Sequence, residues 1–235
     1  MDLSIILPTF NEKGNVNRLI ESIKRNLKAK KINFEIIIVD DNSPDRTAEI
    51  CKKKFKSDKS VKIFVRKKER GLASAIYYGI KKAVGKYILV MDTDFSHDPK
   101  LIPQMVENIK DSDIVIGSRY IGSGGMKNQK RYWLSHLYNL YLRILFGIPV
   151  TDFLSGYFCI KRKYLLNILY EQKKIFVGYG DYFMRLIFFI NLNQGKFTEL
   201  ASFYKDRSYG QSKTNLLKTF ILYTKTSINL ATHKS

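Results

Sequence analysis

The residues whose type and spacing could do chemistry in this 235-residue chain are mostly acidic: Asp92 and Asp94 in an Asp-x-Asp pair, Glu12, and Asp40-Asp41. Carboxylates two residues apart at a strand end project into one crevice. Hard oxygen donors of that kind suit Mg2+ or Mn2+, bound through one or two carboxylates plus substrate phosphates. A solvated pair of loop acids is the plain alternative. Asp41 is placed to accept from ribose hydroxyls or ring N–H groups. The following Asn42-Ser43-Pro44-Asp45 reads as turn chemistry, with Asp45 a cap ahead of Thr47. The chain contains no GxGxxG and no GxxxxGK[ST], so phosphate is not held by a dinucleotide fingerprint or a P-loop.

Elements of alternating type must position these acids. Apolar runs rich in Ile and Val at 3–7, 35–39, 61–65, 87–91 and 114–116 read as buried strands, and amphipathic stretches at 16–27, 47–54, 72–84 and 100–109 read as helices. That rhythm predicts an α/β fold with a mostly parallel central sheet and helices on both faces. In such sheets ligands bind outside the carboxyl ends of the strands. Three acidic tips and one basic tip, at Gly117-Ser118-Arg119-Tyr120, fall at that edge.

Composition narrows the classes. Apolar residues at 45% and charged residues at 26% exclude a disordered chain. The net charge of +20 points to an anionic partner: nucleic acid, a phosphorylated substrate or an anionic lipid surface. Acids gathered at a ligand edge argue against a specific nucleic-acid module. Cys51 and Cys159 lack CxxC spacing, so neither zinc nor a disulfide framework is indicated, and a reducing compartment is the default. The 3–7 run is too short for a signal sequence, and no run reaches the length of a spanning helix. A membrane, if met, is met from its surface.

Beyond Tyr120 a Gly-rich loop and the basic Lys127, Lys130 and Arg131 precede Trp133, Leu137, Leu140 and Ile144 at helical spacing. Core packing is the plain reading of that stripe; an interfacial helix lying in headgroups is the alternative. The stretch 216–230, with Lys218 and Lys225, carries the same ambiguity.

Seven segments in register, PTFNE, VDDNSPDRT, GLASAI, MDTDFSHDPK, GSRYIGSGG, DFLSGYFCIKR and DRSYGQSK, resemble glycosyltransferase family 2, with its GT-A fold, and within it the polyprenyl-phosphate sugar synthases of the dolichol-phosphate mannose type. The resemblance implies a GT-A domain over 1–213 and a basic amphipathic helix over 214–235. It implies that Pro8, Phe10, Glu12, Val39 and Asp41 hold base and ribose. Asp92, Thr93 and Asp94 then meet the diphosphate, with Asp94 and Ser96 on the metal side. Arg119, Arg207 and Lys213 contact phosphates, and Asp94, Arg119, Arg207 and Lys213 form the catalytic set. Phe10 stands where Tyr is frequent, and Ser96 where some relatives carry Gln.

The implied reaction is inverting transfer of a hexose, mannose from GDP-mannose, to dolichyl or polyprenyl phosphate, with Mg2+ or Mn2+ as cofactor. It would run on the cytoplasmic face of a membrane, with or without a separate membrane-anchoring subunit. A lipid phosphate is already anionic and needs cations rather than a general base. Arg119, Arg131, Asp152 and Ser155 are the acceptor-side residues. A UDP-sugar enzyme making polyprenyl-phosphate glucose or extending a glycan is the alternative, with Asp181 its best base; otherwise Asp181 caps a helix. His97 reads as a helix-start residue, Ser155 also as a turn former, and 204–213 as a lid over nucleotide.

Overall fold

The computed structural model describes residues 1–172, 174–205 and 216–232. The first half runs β1 (Leu3–Thr9), α1 (Val16–Ala29), β2 (Phe34–Asp40), α2 (Thr47–Lys54), β3 (Val61–Val65), α3 (Leu72–Lys82) and β4 (Tyr87–Val90). A 3-10 turn at Pro99–Leu101 leads into α4 (Ile102–Asn108), β5 (Ile114–Ser118), β6 (Gly125–Met126) and α5 (Gln129–Phe146). Then follow β7 (Phe158–Lys161), α6 (Arg162–Glu171), α7 (Asp181–Leu192), β8 (Phe197–Ala201), β9 (Phe203–Tyr204) and α8 (Leu216–Thr232).

Seven strands form one sheet in the order β3-β2-β1-β4-β7-β5-β8, and β6 pairs with β9 apart from it. All neighbours in the large sheet are parallel except β7, which runs antiparallel to both β4 and β5. The strand order reverses at β1, between β2 and β4, which makes the ends of β1 and β4 the crevice of this sheet. In register, Thr9 lies opposite Asp40 and Ile6 opposite Val90, so these three strands finish side by side.

Alternation along the strands sorts the core into two layers. Leu3, Ile5 and Leu7 face α1 and α4, and Ile6, Ile37 and Val39 face α3 and the helices beyond it. At Gly79, α3 lies so close to β1 that a Cβ would stand 2.5 Å from Ile6 Cγ2, and only glycine tolerates that approach.

α5 departs from the core reading of its stripe. Its packed row is Asn139, Leu142 and Phe146, all buried. Trp133, Leu137, Leu140 and Ile144 turn outward, Ile144 being 75% exposed. The reason is occupancy. α7, apolar on nearly every side, already fills the space over the sheet with Phe183, Leu186, Ile187 and Phe188. α8 packs beside α5 and α7: Tyr138 meets Phe220 edge-on at 5.5 Å, and Leu230 and Ser227 are buried. Leu217, Phe220, Ile221 and Ile228 stay exposed, so α5 and α8 together present an outward apolar surface. No helix among the described residues is long and apolar enough to cross a membrane.

Candidate active site

A cleft of about 320 Å³ opens at the reversal point of the sheet. Pro8 and Thr9 at the end of β1, with Phe10 and Glu12 from the loop after it, form one wall, and Asp92, Thr93 and Asp94 from the loop after β4 form another. Asp41, Arg70, Gly71, Leu72 and Ala75 close it from the α3 side, and Tyr179 reaches in from the approach to α7. Six of the residues assigned to nucleotide sugar thus meet here with Asp41. Val39 does not: it is fully buried in β2 among the core side chains and is absent from the lining.

Asp40 and Asp41 divide the roles that the sequence left open. Asp40 makes the Asx turn, accepting from Ser43 N–H at 2.9 Å and from Ser43 Oγ at 2.5 Å; burial raises its pKa. Asp45 sits one residue before the cap position of α2 and accepts from Thr47 N–H at 3.0 Å. The Asp41 carboxylate is engaged by protein groups: Arg66 Nε donates to Oδ1 at 2.7 Å, and Gly71 N–H donates to Oδ2 at 2.8 Å. Gly71 holds φ +142°, a left-handed backbone at the cap position of α3 that favours glycine. Asp41 therefore shapes the cleft by fixing the start of α3. The same turn presents Arg70, whose guanidinium lies 5.5 Å over the Phe10 ring.

The loop after β4 is built around a buried imidazole. Asp92 N–H donates to His97 Nδ1 at 3.0 Å, and Ser96 N–H donates to Asp94 Oδ1 at 2.9 Å. His97 is fully buried, stacked on Tyr157 with 4.7 Å between centroids and edge-on to Tyr204 at 4.7 Å. Burial, outweighing the nearby Asp94 charge, pushes its pKa down to about 4, so the ring is neutral at pH 7. The helix-start assignment is corrected here. Asp98 performs that job by accepting from Lys100 N–H at 3.0 Å, and His97 belongs to the interior.

Arg119 and Asp152 form a buried fork. Nε donates to Oδ2 at 2.8 Å, Nη2 to Oδ1 at 2.6 Å, and Arg119 N–H to Oδ2 at 3.1 Å. Burial alone would lower the guanidinium pKa, but the Asp152 charge and hydrogen bonds raise it overall. Neither residue lines the cleft. Glu199 on β8 supports the pair from behind, accepting from Thr151 N–H at 2.9 Å and Asp152 N–H at 3.2 Å; burial raises its pKa. Ser155 points inward, its Oγ donating to Gly117 O at 2.6 Å and meeting Tyr204 Oη at 2.8 Å. Arg131 sits exposed in the first turn of α5.

Asp181 is the first residue of α7. It accepts from Tyr179 N–H at 2.8 Å, from Arg185 Nη1 at 2.5 Å and from Thr226 Oγ at 3.0 Å on α8. Its carboxylate is thus a tie between the Tyr179 wall and α8. Arg207 and Lys213, and with them most of the expected lid, lie outside the described residues.

Sequence reasoning passed over Arg66, Arg70, Tyr179 and Glu199. Arg66 directly follows β3, so the strand-end rule, applied there as at the other strands, would have found it. Arg70 had a weaker signal in its place just ahead of α3.

Asp92 and Asp94 fit a divalent ion by donor chemistry. They are hard oxygen donors on one cleft wall. Among the described residues no group of three His, Cys, Asp or Glu could hold a metal by itself. Such an ion would need phosphate oxygens to complete its shell, the usual arrangement for Mg2+ with nucleotides.

A sheet with this order and a nucleotide-sized acidic cleft at its reversal point defines an α/β transferase of the GT-A type. Residues 4–169 match the model of glycosyl transferase family 2, and the chain belongs to that family. It is 38% identical over 168 residues to a dolichol-phosphate mannosyltransferase of Pyrococcus furiosus, covering 69% of this chain and 47% of that protein. It is 32% identical over 179 residues to the enzyme of the same name in Saccharomyces cerevisiae, covering 71% and 63%. An undecaprenyl-phosphate mannosyltransferase of Micrococcus luteus is 32% identical over 222 residues, 91% of this chain and 87% of that protein. The chain therefore spans between about half and two thirds of the first two relatives' lengths. Glucosyl-3-phosphoglycerate synthase of Mycobacterium tuberculosis, solved with Mn2+, UDP and phosphoglyceric acid, superposes with a TM-score of 0.70 at 16% identity. That alignment covers 98% of this chain and 78% of the synthase, and it shows the shared fold.

Proposed function

We propose that this chain is an inverting mannosyltransferase that moves mannose from GDP-mannose to dolichyl or another polyprenyl phosphate at a membrane surface. The observation that carries the acceptor class is the state of three acids beyond the cleft among the described residues. Asp152 is held by Arg119, Asp181 by Arg185, Thr226 and the Tyr179 amide, and Glu199 by Thr151 and the Asp152 amide. A sugar hydroxyl needs a base to take its proton; a phosphate monoester does not. The names of the similar proteins support the same class and the mannose.

Phe10 and Arg70 then flank the base, and Asp92, Thr93 and Asp94 stand at the diphosphate end. A divalent cation bound there supplies charge neutralisation for the departing diphosphate. Asp94 is aimed by the Ser96 amide. Arg207 and Lys213 are proposed to add donors to the same phosphates, and Arg131 to meet the acceptor.

Lipid contact is assigned to the outward faces of α5 and α8. A chain of charge +20 is drawn to anionic headgroups, and exposed Trp133, Leu137 and Ile144 give it an apolar face to bury. Replacing these three by Ser is expected to weaken partition into anionic vesicles by roughly ten- to a hundredfold, measured by co-sedimentation. Unchanged partition would remove α5 from the contact.

The assignment is tested by incubating the protein with radiolabelled GDP-mannose or UDP-glucose, a polyprenyl phosphate and Mn2+, and counting label in the organic phase. Label from GDP-mannose alone is expected. Transfer only from UDP-glucose would overturn the donor, and no transfer to any polyprenyl phosphate would overturn the acceptor.

A further inference from the structure

We propose that His97 is a positioning residue that holds the Asp92–Asp94 acids at the cleft by accepting the Asp92 amide proton on Nδ1. The inference deepens the proposed function, since it concerns the loop assigned to the diphosphate, but its first readout needs no ligand.

The loop from Asp92 to Asp98 turns back on itself through Phe95, which has φ +66°. A left-handed backbone at a bulky residue is strained, so the loop requires holding at both ends. At one end Asp92 N–H donates to His97 Nδ1 at 3.0 Å. At the other, Tyr157 Oη donates to the Asp98 carbonyl at 2.9 Å, and Lys205 Nζ pairs with Asp98 Oδ2 at 3.2 Å.

The imidazole also joins this loop to the Arg119–Asp152 side. Its face lies on Tyr157, interplanar angle 8°, and its edge meets Tyr204. Tyr204 Oη donates to the Ser155 carbonyl at 2.9 Å, and the Arg119 guanidinium lies 4.9 Å over the Tyr204 ring. A core histidine retained for packing alone would be served by any flat ring. This one supplies an edge acceptor to the first amide of the acidic pair.

Three substitutions separate the roles. His97→Phe keeps a flat ring and loses the acceptor; His97→Asn places an oxygen near Nδ1; His97→Gln places its oxygen nearer the Nε2 position and misses the amide. In ligand-free protein, hydrogen exchange of peptides covering 91–98 is expected to quicken by about tenfold or more in His97→Phe and His97→Gln. His97→Asn is expected to stay near the wild type, and peptides from β1 to be unchanged in all three. The gain in GDP affinity on adding Mn2+ should fall in the same order, with His97→Asn rescued.

Wild-type exchange at 91–98 in a folded His97→Phe protein would overturn the proposal. Should His97→Phe not fold, the Asn and Gln variants decide: equal behaviour of the two overturns it, and loosening confined to Gln supports it. If wild-type GDP binding ignores Mn2+, the functional reading fails and the exchange comparison alone judges His97.

Discussion

Asp94→Asn is expected to lower kcat/KM for mannosyl transfer by about a thousandfold while leaving the unfolding midpoint within about a degree of the wild type. The two halves of that expectation have separate causes. Asparagine keeps the oxygen that accepts from Ser96 N–H at 2.9 Å, so the local turn survives. It removes the negative charge from a residue that is only 4% exposed on the cleft wall. If a divalent cation is bound there with the diphosphate, its weakening leaves the leaving group's developing charge poorly neutralised. A thousandfold loss corresponds to about 4 kcal/mol of transition-state stabilisation, within what a metal-held phosphate provides. Steady-state kinetics across a Mn2+ titration, paired with thermal denaturation, reads both halves. Full activity with an intact fold would take Asp94 out of the phosphate end.

The second large effect concerns stability. Asp152→Ala strips a buried guanidinium of its bidentate partner, and removal of one member of such a pair costs about 3–5 kcal/mol. For a domain of this size that corresponds to a drop of roughly 10 °C in the unfolding midpoint, by calorimetry. Arg119→Lys is not a conservative replacement, because a point charge cannot reproduce the fork. The paired change Arg119→Met with Asp152→Leu is expected to recover most of the stability, since neither charge is then left alone. Its activity separates two uses of Arg119. A stable but inactive double variant supports the direct phosphate contact that the family resemblance implies. A stable and active one would show the pair to be only a brace for the loops carrying Ser155 and Tyr157.

The sheet, its alternating helices and the acids of the cleft were legible because they rest on short-range pattern. Short apolar runs at 35–39 and 87–91, set between amphipathic helical stretches, read as buried strands, and the rule that ligands sit at carboxyl ends brought Phe10, Asp41 and Asp94 together. The antiparallel insertion of β7 between β4 and β5 was not legible, because one strand's direction depends on where a long connection returns. For residues 133–144 the sequence left core packing and an outward face both open, for a similar reason. Helical periodicity reports that a face is apolar, and α7, distant in sequence, decides whether that face is covered. His97 shows the limit at the level of one residue. Its neighbours in sequence suggest a helix start, but its partners Tyr157 and Tyr204 lie 60 and 107 residues away.

The central claim is that the acids of one strand end and the Phe10–Arg70 wall hold a nucleoside diphosphate together with a divalent cation. The most direct measurement is a crystal grown with Mn2+ and GDP, examined for anomalous scattering. The account predicts a manganese peak within coordination distance of Asp94 and the β-phosphate, with guanine against Phe10 and Arg70. GDP bound elsewhere, or bound in the cleft with manganese absent from the Asp92–Asp94 wall, would contradict it.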